Sequence, residues 1–170
     1  MPIHENINTT QCFIGFHMPD EPYGFLSNWY MCEFSVDGKK YNCVEQCMME
    51  QKALLFGDTD IAGKIMATSD QSEMQALGRQ AKGFDSVVWN GHKQLIVYKA
   101  LYAKFSQNAD LKTKLLATGD ARLAECSRSD LVWGIGMSAR DKGVEDISNW
   151  KGQNLLGFAL EMLRSELGKA

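Results

Sequence analysis

The sequence predicts a mainly helical α+β fold: a single compact helical domain over 1–170 with a small β-hairpin or sheet near its N-terminus. Three observations predict it. Asp37-Gly38 separates two short strand-like runs, Val44, Cys47, Met48 and Leu55 then fall on one helical stripe, and the chain closes on Leu156, Leu160, Leu163 and Leu167 at i, i+4, i+7 and i+11. With 170 residues, 45% hydrophobic and 23% charged, there is apolar material for one sizeable core. No repeat, low-complexity tract or Pro/Ser-rich linker divides the chain, and all three prolines precede residue 23.

The elements follow in order. Residues 12–16 and 32–36 are short apolar runs, and the second meets Asp37-Gly38 and then 39–43. Asp-Gly suits a hairpin because both central positions of a type I′ turn need positive φ. After it an amphipathic helix runs from Val44, with Gly57 as its stop. Further helices are predicted over 61–67, over 71–81 after an Asp70/Glu73 capping box, and over 93–105, where Leu95, Tyr98, Tyr102 and Phe105 share a side. Leu111, Leu115 and Leu116 mark another, 123–127 reads as a strand, and 155–167 is the last helix. The stretch 127–152 is polar and without a period, yet it carries Trp133 and Trp150. Loops of that length are usually functional or disordered, and disordered segments are poor in aromatics, so it reads as a wall of the active site.

Charge and composition narrow the function. A net charge of -3 and a pI near 5.6 offer no broad basic face for a nucleic-acid backbone, so an anionic ligand must meet a local basic pocket. No run approaches the roughly 20 apolar residues of a membrane span, and 1–10 lacks a signal pattern. A cytoplasmic protein is expected. The five cysteines are read as free thiols; Cys43 and Cys47 share a possible helix face, but no CxxC or HExxH completes a metal set, and small buried hydrophobes is the better reading. His4, His17 and His92 show no metal spacing and receive no role. No metal and no cofactor is expected.

The chemistry centres on Tyr41-Asn42-Cys43-Val44-Glu45-Gln46, where a strand ends and a helix begins. Asn42 and Glu45 fit a capping box, in which Glu45 merely reaches back to a backbone N–H. On the helical wheel, however, Glu45, Met49, Lys52 and Phe56 lie together at roughly 80° to 140° from Val44, bordering the buried stripe. That sets a carboxylate and an ammonium at a pocket rim, with Lys52 either free for a ligand anion or simply solvated. Arg79 and Lys82, three residues apart on a helix, suit a phosphate as fork and point charge, or else form a solvated face. Ser27-Asn28 and Asn154 offer short polar groups for ligand contacts. Asp130 suits a ligand's hydroxyls or proton donation, with a turn cap as the alternative. Trp89 and Trp133 are rigid flat faces for stacking or shielding a ligand, or packing residues.

Gly24-Phe25-Leu26-Ser27-Asn28-Trp29, Val44-Glu45-Gln46 running into Gln51-Lys52-Ala53, and Leu77-Gly78-Arg79-Gln80-Ala81-Lys82 together resemble the YbiA-like family, also called NADAR. The resemblance continues through Val88-Trp89, Ala103-Lys104-Phe105, Leu123-Ala124-Glu125-Cys126, Asp130-Leu131-Val132-Trp133-Gly134 and Gly152-Gln153-Asn154-Leu155-Leu156-Gly157, and so spans nearly the whole chain. It implies a mainly helical fold and hydrolysis of N-glycosidic bonds to ribose phosphates. The implied substrates are ribosylamino-pyrimidine phosphates of riboflavin synthesis or ADP-ribose attached to guanine in nucleic acid. The family's catalytic glutamate maps to Glu45, and its supporting residues to Trp89, Asp130 and Trp133. Where the family has aromatics or histidine after the glutamate, this chain has Gln46, Cys47 and Met48, which bears on pocket shape. Its Ile135 and Met137 also make the run after Trp133-Gly134 more apolar.

The reaction class suits these residues, because breaking a C1′–N bond builds positive charge on the ribose, which a fixed carboxylate can stabilise while orienting water. A rival reading is a non-catalytic module for ADP-ribose or NAD, which shares the pocket but needs no carboxylate beside C1′. A Met-rich scaffold fits least, since the methionines are spread among the helices. Gly134 to Ala139 matches the GxGxxA form of a dinucleotide fingerprint but lacks the strand before and the helix after it. Oligomeric state is not legible.

Overall fold

The computed structural model describes residues 12–169; His4 and the N-terminal stretch 1–10 lie outside them. Four short strands and six helices follow in order: β1 Phe13–Phe16, β2 Phe34–Val36, β3 Lys39–Tyr41, α1 Val44–Leu55, α2 Thr59–Ala67, α3 Gln71–Arg79, α4 Ser86–Gln107, α5 Ala109–Leu116, β4 Arg122–Glu125 and α6 Leu155–Leu167. The mainly helical α+β expectation holds. No helix of the described residues is long and apolar enough to cross a membrane.

The hairpin forms where the Asp-Gly pair predicts it. β2 and β3 are antiparallel with Val36 opposite Lys39, and Asp37 and Gly38 have φ of 49° and 80°. The small sheet differs from expectation, however, because β1 does not join the hairpin. It pairs in parallel with β4, Phe16 opposite Glu125. That pairing carries the end of the N-terminal segment to the start of the 127–152 loop, and α6 covers it.

α1 is the central helix, packed against α2, α3 and α4. The amphipathic expectation is corrected here, for every residue from Val44 to Glu50 is buried. Its polar members are mostly satisfied: Glu50 takes Lys39 and the Tyr41 hydroxyl, the latter at 2.9 Å, and Gln46 Nε2 donates to the Ile65 and Thr68 carbonyls at 3.2 and 3.3 Å. Gly78 lets α3 approach α1, since a Cβ there would stand 2.2 Å from Met49 Sδ.

α4 begins seven residues before the sequence predicts, capped by Asp85 accepting from Val87 and Val88 N–H at 2.8 and 3.1 Å, so Trp89 is helical. The expected stripe on α4 holds at Phe105 but not at Leu95 and Tyr102, which are 60% and 43% exposed. Phe105 shares the buried side with Val97, Ala100, Leu101 and Lys104. α6 buries Leu156, Leu160, Leu163 and Leu167 as its spacing requires. The 127–152 loop folds around a small second core of Ile135, Met137 and Val144 with Ala124 and Cys126, against which Trp150 packs. All five cysteines are free, and Cys43, Cys47 and Cys126 are buried.

Candidate active site

Glu45 is 3% exposed in the first turn of α1. It is not the capping residue, because the N-cap is Cys43. The Cys43 Sγ accepts from Gln46 N–H at 3.4 Å, and Gln46 Oε1 reaches back to Asn42 N–H at 3.0 Å. The box is therefore closed by Gln46, and the Glu45 carboxylate is left to other uses. Its backbone N–H donates to the Asn28 carbonyl at 2.9 Å, which ties α1 to the loop after the 3₁₀ turn Gly24–Leu26. Glu45 Oε1 and Asn28 Oδ1 are both buried without a hydrogen-bond partner among the described residues. An unmet buried acceptor costs roughly 1–3 kcal/mol, so two in neighbouring residues mark a site built for hydroxyl or amine donors.

Burial drives the Glu45 carboxyl up from the ordinary 4.5 to about 7, and the Asp130 charge adds to the rise; a hydrogen bond from Trp29 and the Arg79 and Lys52 charges pull it back. One carboxylate, one aspartate and two cations thus share a field. Lys52 is itself held below its ordinary range, first by burial and then by Arg79, with Glu45 opposing. Its ammonium stands 4.6 Å from the centre of the Phe84 ring and 5.7 Å from that of Trp89, and Phe84 meets Phe56 edge-on at 5.4 Å. A cation flanked by ring faces beside a buried carboxylate suits a phosphorylated sugar carrying a flat base.

Asp130 uses Oδ1 to accept from Val132 and Trp133 N–H at 2.9 and 2.8 Å. The turn-cap reading is therefore correct for that oxygen, and the same turn fixes Trp133, which packs on the main core. Gly134 is required next, since a Cβ would sit 2.9 Å from the carbonyl oxygens of both Asp130 and Glu125. Ser27 is a loop builder: its Oγ accepts from Trp29 N–H at 3.2 Å and its carbonyl from the Lys104 ammonium at 3.0 Å. Lys104 is fully buried, and that burial brings its pKa down to about 8.

Two residues expected at the ligand are placed differently from the sequence expectation. Arg79 is the last residue of α3, so Lys82 is not on the same helix. Lys82 lies in the following loop, its N–H on Asp58 Oδ2 at 2.9 Å, in a depression lined by Phe56, Gly57, Asp58, Thr59, Asp60 and Gly83. Asn154 is fully buried with φ 52°; its Nδ2 donates to Leu123 O at 2.9 Å and its Oδ1 accepts from Glu125 N–H at 3.1 Å. Both ends of its amide are spent on β4, so it fastens α6 to the sheet. Trp29 and Phe84 are neighbours of Glu45 and Lys52 that the sequence reading assigned no role; Trp29 beside Ser27-Asn28 was the available signal.

The NADAR domain family model matches residues 15–168. An N-glycosidase of Acanthamoeba polyphaga mimivirus is 41% identical over 146 residues, 83% of this chain and 86% of the relative. A riboflavin biosynthesis protein of Vibrio vulnificus is 32% identical over 154 residues, 91% of this chain but 38% of that longer protein. The NMR structure of Escherichia coli YbiA has a TM-score of 0.77 at 31% identity, covering 94% of this chain and 86% of that one, and YbiA is named an N-glycosidase. Fold and relatives together define the class, a hydrolase of the N-glycosidase type. The chain belongs to the NADAR family.

Proposed function

We propose that this protein hydrolyses the C1′–N bond of a ribose-phosphate N-glycoside, with a free ribosylamino-pyrimidine phosphate as substrate. The observation that carries the reading is Glu45, a buried carboxylate with an unmet oxygen, faced by Asp130, Lys52 and Arg79. Lys52 and Arg79 hold the phosphate, Trp89 and Trp133 shield the sugar and base from water, and Asp130 and Asn28 bind ribose hydroxyls. As the C1′–N bond breaks, its electron pair stays on nitrogen, which takes a proton from solvent. Glu45 stabilises the positive charge at C1′, orients a water, and receives the proton that the water loses as its oxygen bonds to C1′.

The choice of pyrimidine substrate is supported by the name of the Vibrio relative and by the acidic chain, which suits a small metabolite better than ADP-ribosylated guanine in nucleic acid. A module that only bound ADP-ribose or NAD would use the cations and rings but has no need of a carboxylate buried beside C1′. Purified protein should convert a ribosylamino-pyrimidine phosphate to ribose phosphate and free aminopyrimidine, read by chromatography, with guanine-linked ADP-ribose in parallel. Faster release from the ADP-ribosyl guanine would move the substrate to that branch, and binding of ADP-ribose without release of either product would leave a binding module.

A further inference from the structure

Lys104 reaches from α4 into the interior and is fully buried, yet no step of the proposed reaction uses it. Glu50 and Glu125, also buried, each meet a basic partner, Lys39 and His17 respectively. Lys104 makes no ion pair among the described residues. Its ammonium donates to the Ser27 carbonyl at 3.0 Å and stands 5.3 and 5.1 Å from the centres of the Tyr30 and Phe105 rings. Keeping a charge on one carbonyl and two rings costs stability, and burial accordingly brings its pKa down to about 8. An unbranched apolar side chain would fill much the same space without that cost.

The carbonyl that takes the ammonium opens the loop that meets Glu45. Ser27 O also accepts from Tyr30 N–H at 3.2 Å, closing a turn over Asn28 and Trp29. Both of those residues touch the carboxylate's own residue: the Asn28 carbonyl accepts from Glu45 N–H at 2.9 Å, and the Trp29 side chain hydrogen-bonds the Glu45 carboxylate. Glu45 N–H lies in the first turn of α1, where a backbone donor has no acceptor within its own helix, so the loop supplies one. From α3, Gln71 Nε2 holds the Trp29 carbonyl at 2.9 Å. We propose that Lys104 is a positioning residue for the reaction: it clamps the Ser27 turn from α4, as Gln71 does Trp29 from α3, and so keeps Asn28 and Trp29 against Glu45. It acts through Ser27 and Asn28 and touches no substrate.

Lys104→Met removes the clamp and keeps the volume; Lys104→Leu is a second apolar replacement should the first fail to fold. Amide hydrogen exchange followed by NMR on the ligand-free protein reads the docking of the loop, because the Glu45 amide is protected by the Asn28 carbonyl. In the variant that amide should exchange ~10-fold or more faster, while the amides of α6 keep their wild-type rates. With substrate, kcat should fall ~10-fold or more at a KM near the wild type's, since Lys52 and Arg79 still hold the phosphate. A Glu45 amide as protected as in the wild type overturns the proposal. So does a general loss of stability in which all amides exchange faster together, the mark of a merely structural lysine, and so does an unchanged kcat beside faster exchange. The importance of the clamp rests on Glu45 being the catalytic carboxylate, but the exchange measurement needs no substrate. A wild type without turnover would remove the proposed hydrolysis, and a Glu45 amide indifferent to Lys104 would remove the clamp, so the two failures are separately visible.

Discussion

Replacing Glu45 by Gln should stabilise the protein, and by an amount that grows with pH. A carboxyl that titrates near 4.5 when exposed and at about 7 when folded binds its proton more tightly in the native state. The stability from that proton is complete below about 4.5 and is lost as pH rises through 7. At about 1.4 kcal/mol per pH unit, the ionised Glu45 costs the native state about 3 kcal/mol once both states are charged. Gln has nearly the shape of the protonated acid and does not titrate. Wild type and variant should therefore unfold together near pH 4.5 and separate by about 3 kcal/mol above pH 8, a shift of roughly 6 to 12 °C in melting temperature for a domain of this size. Urea or thermal unfolding across pH 4.5 to 8.5 measures it. If the variant is less stable than the wild type, or differs from it equally at every pH, Glu45 is a structural cap and the burial argument is wrong.

Three further outcomes follow from the same geometry. Activity should rise with pH through a midpoint near 7 as Glu45 ionises; a kcat/KM that is flat between pH 5.5 and 8.5 would remove the carboxylate from the reaction. Lys52→Met should raise KM for a phosphorylated substrate ~10-fold or more, the worth of a charged hydrogen bond, whereas Lys82→Met should leave it unchanged because Lys82 lines a separate depression with Asp58 and Asp60, and the cations acting on Glu45 are Arg79 and Lys52; equal effects would contradict the placement of the phosphate. Asn154→Ala loses two buried hydrogen bonds and forces alanine to φ 52°, so it should lower unfolding free energy by about 3 kcal/mol. Unchanged stability with a raised KM would return Asn154 to the ligand.

The sequence was most informative where chemistry is local. Asp37-Gly38 makes a hairpin because its own backbone requires it, and the leucines of α6 form one uninterrupted apolar stripe at helical spacing. α4 misleads because its buried side includes Lys104, a residue that an apolar template scores as exposed. The role of Glu45 was ambiguous for a related reason: Cys43 is an unusual N-cap, so Asn42 and Glu45 looked like the capping pair that Cys43 and Gln46 form. Asn154 was legible as a polar residue at a helix start, but its partners lie on β4, some 30 residues earlier in the chain. The pairing of His17 with Glu125 spans 108 residues and depends on the parallel register of β1 with β4, which no local pattern announces.

The most direct test is phosphosugar release from a ribosylamino-pyrimidine phosphate at pH 8 by wild type and Glu45→Gln, with folding of both verified by circular dichroism. Turnover by the wild type and a ~10²- to 10⁴-fold fall in kcat for the folded variant is the expected result for a carboxylate that assists water at C1′. Equal release by the two proteins would contradict the assignment of Glu45 as the catalytic group.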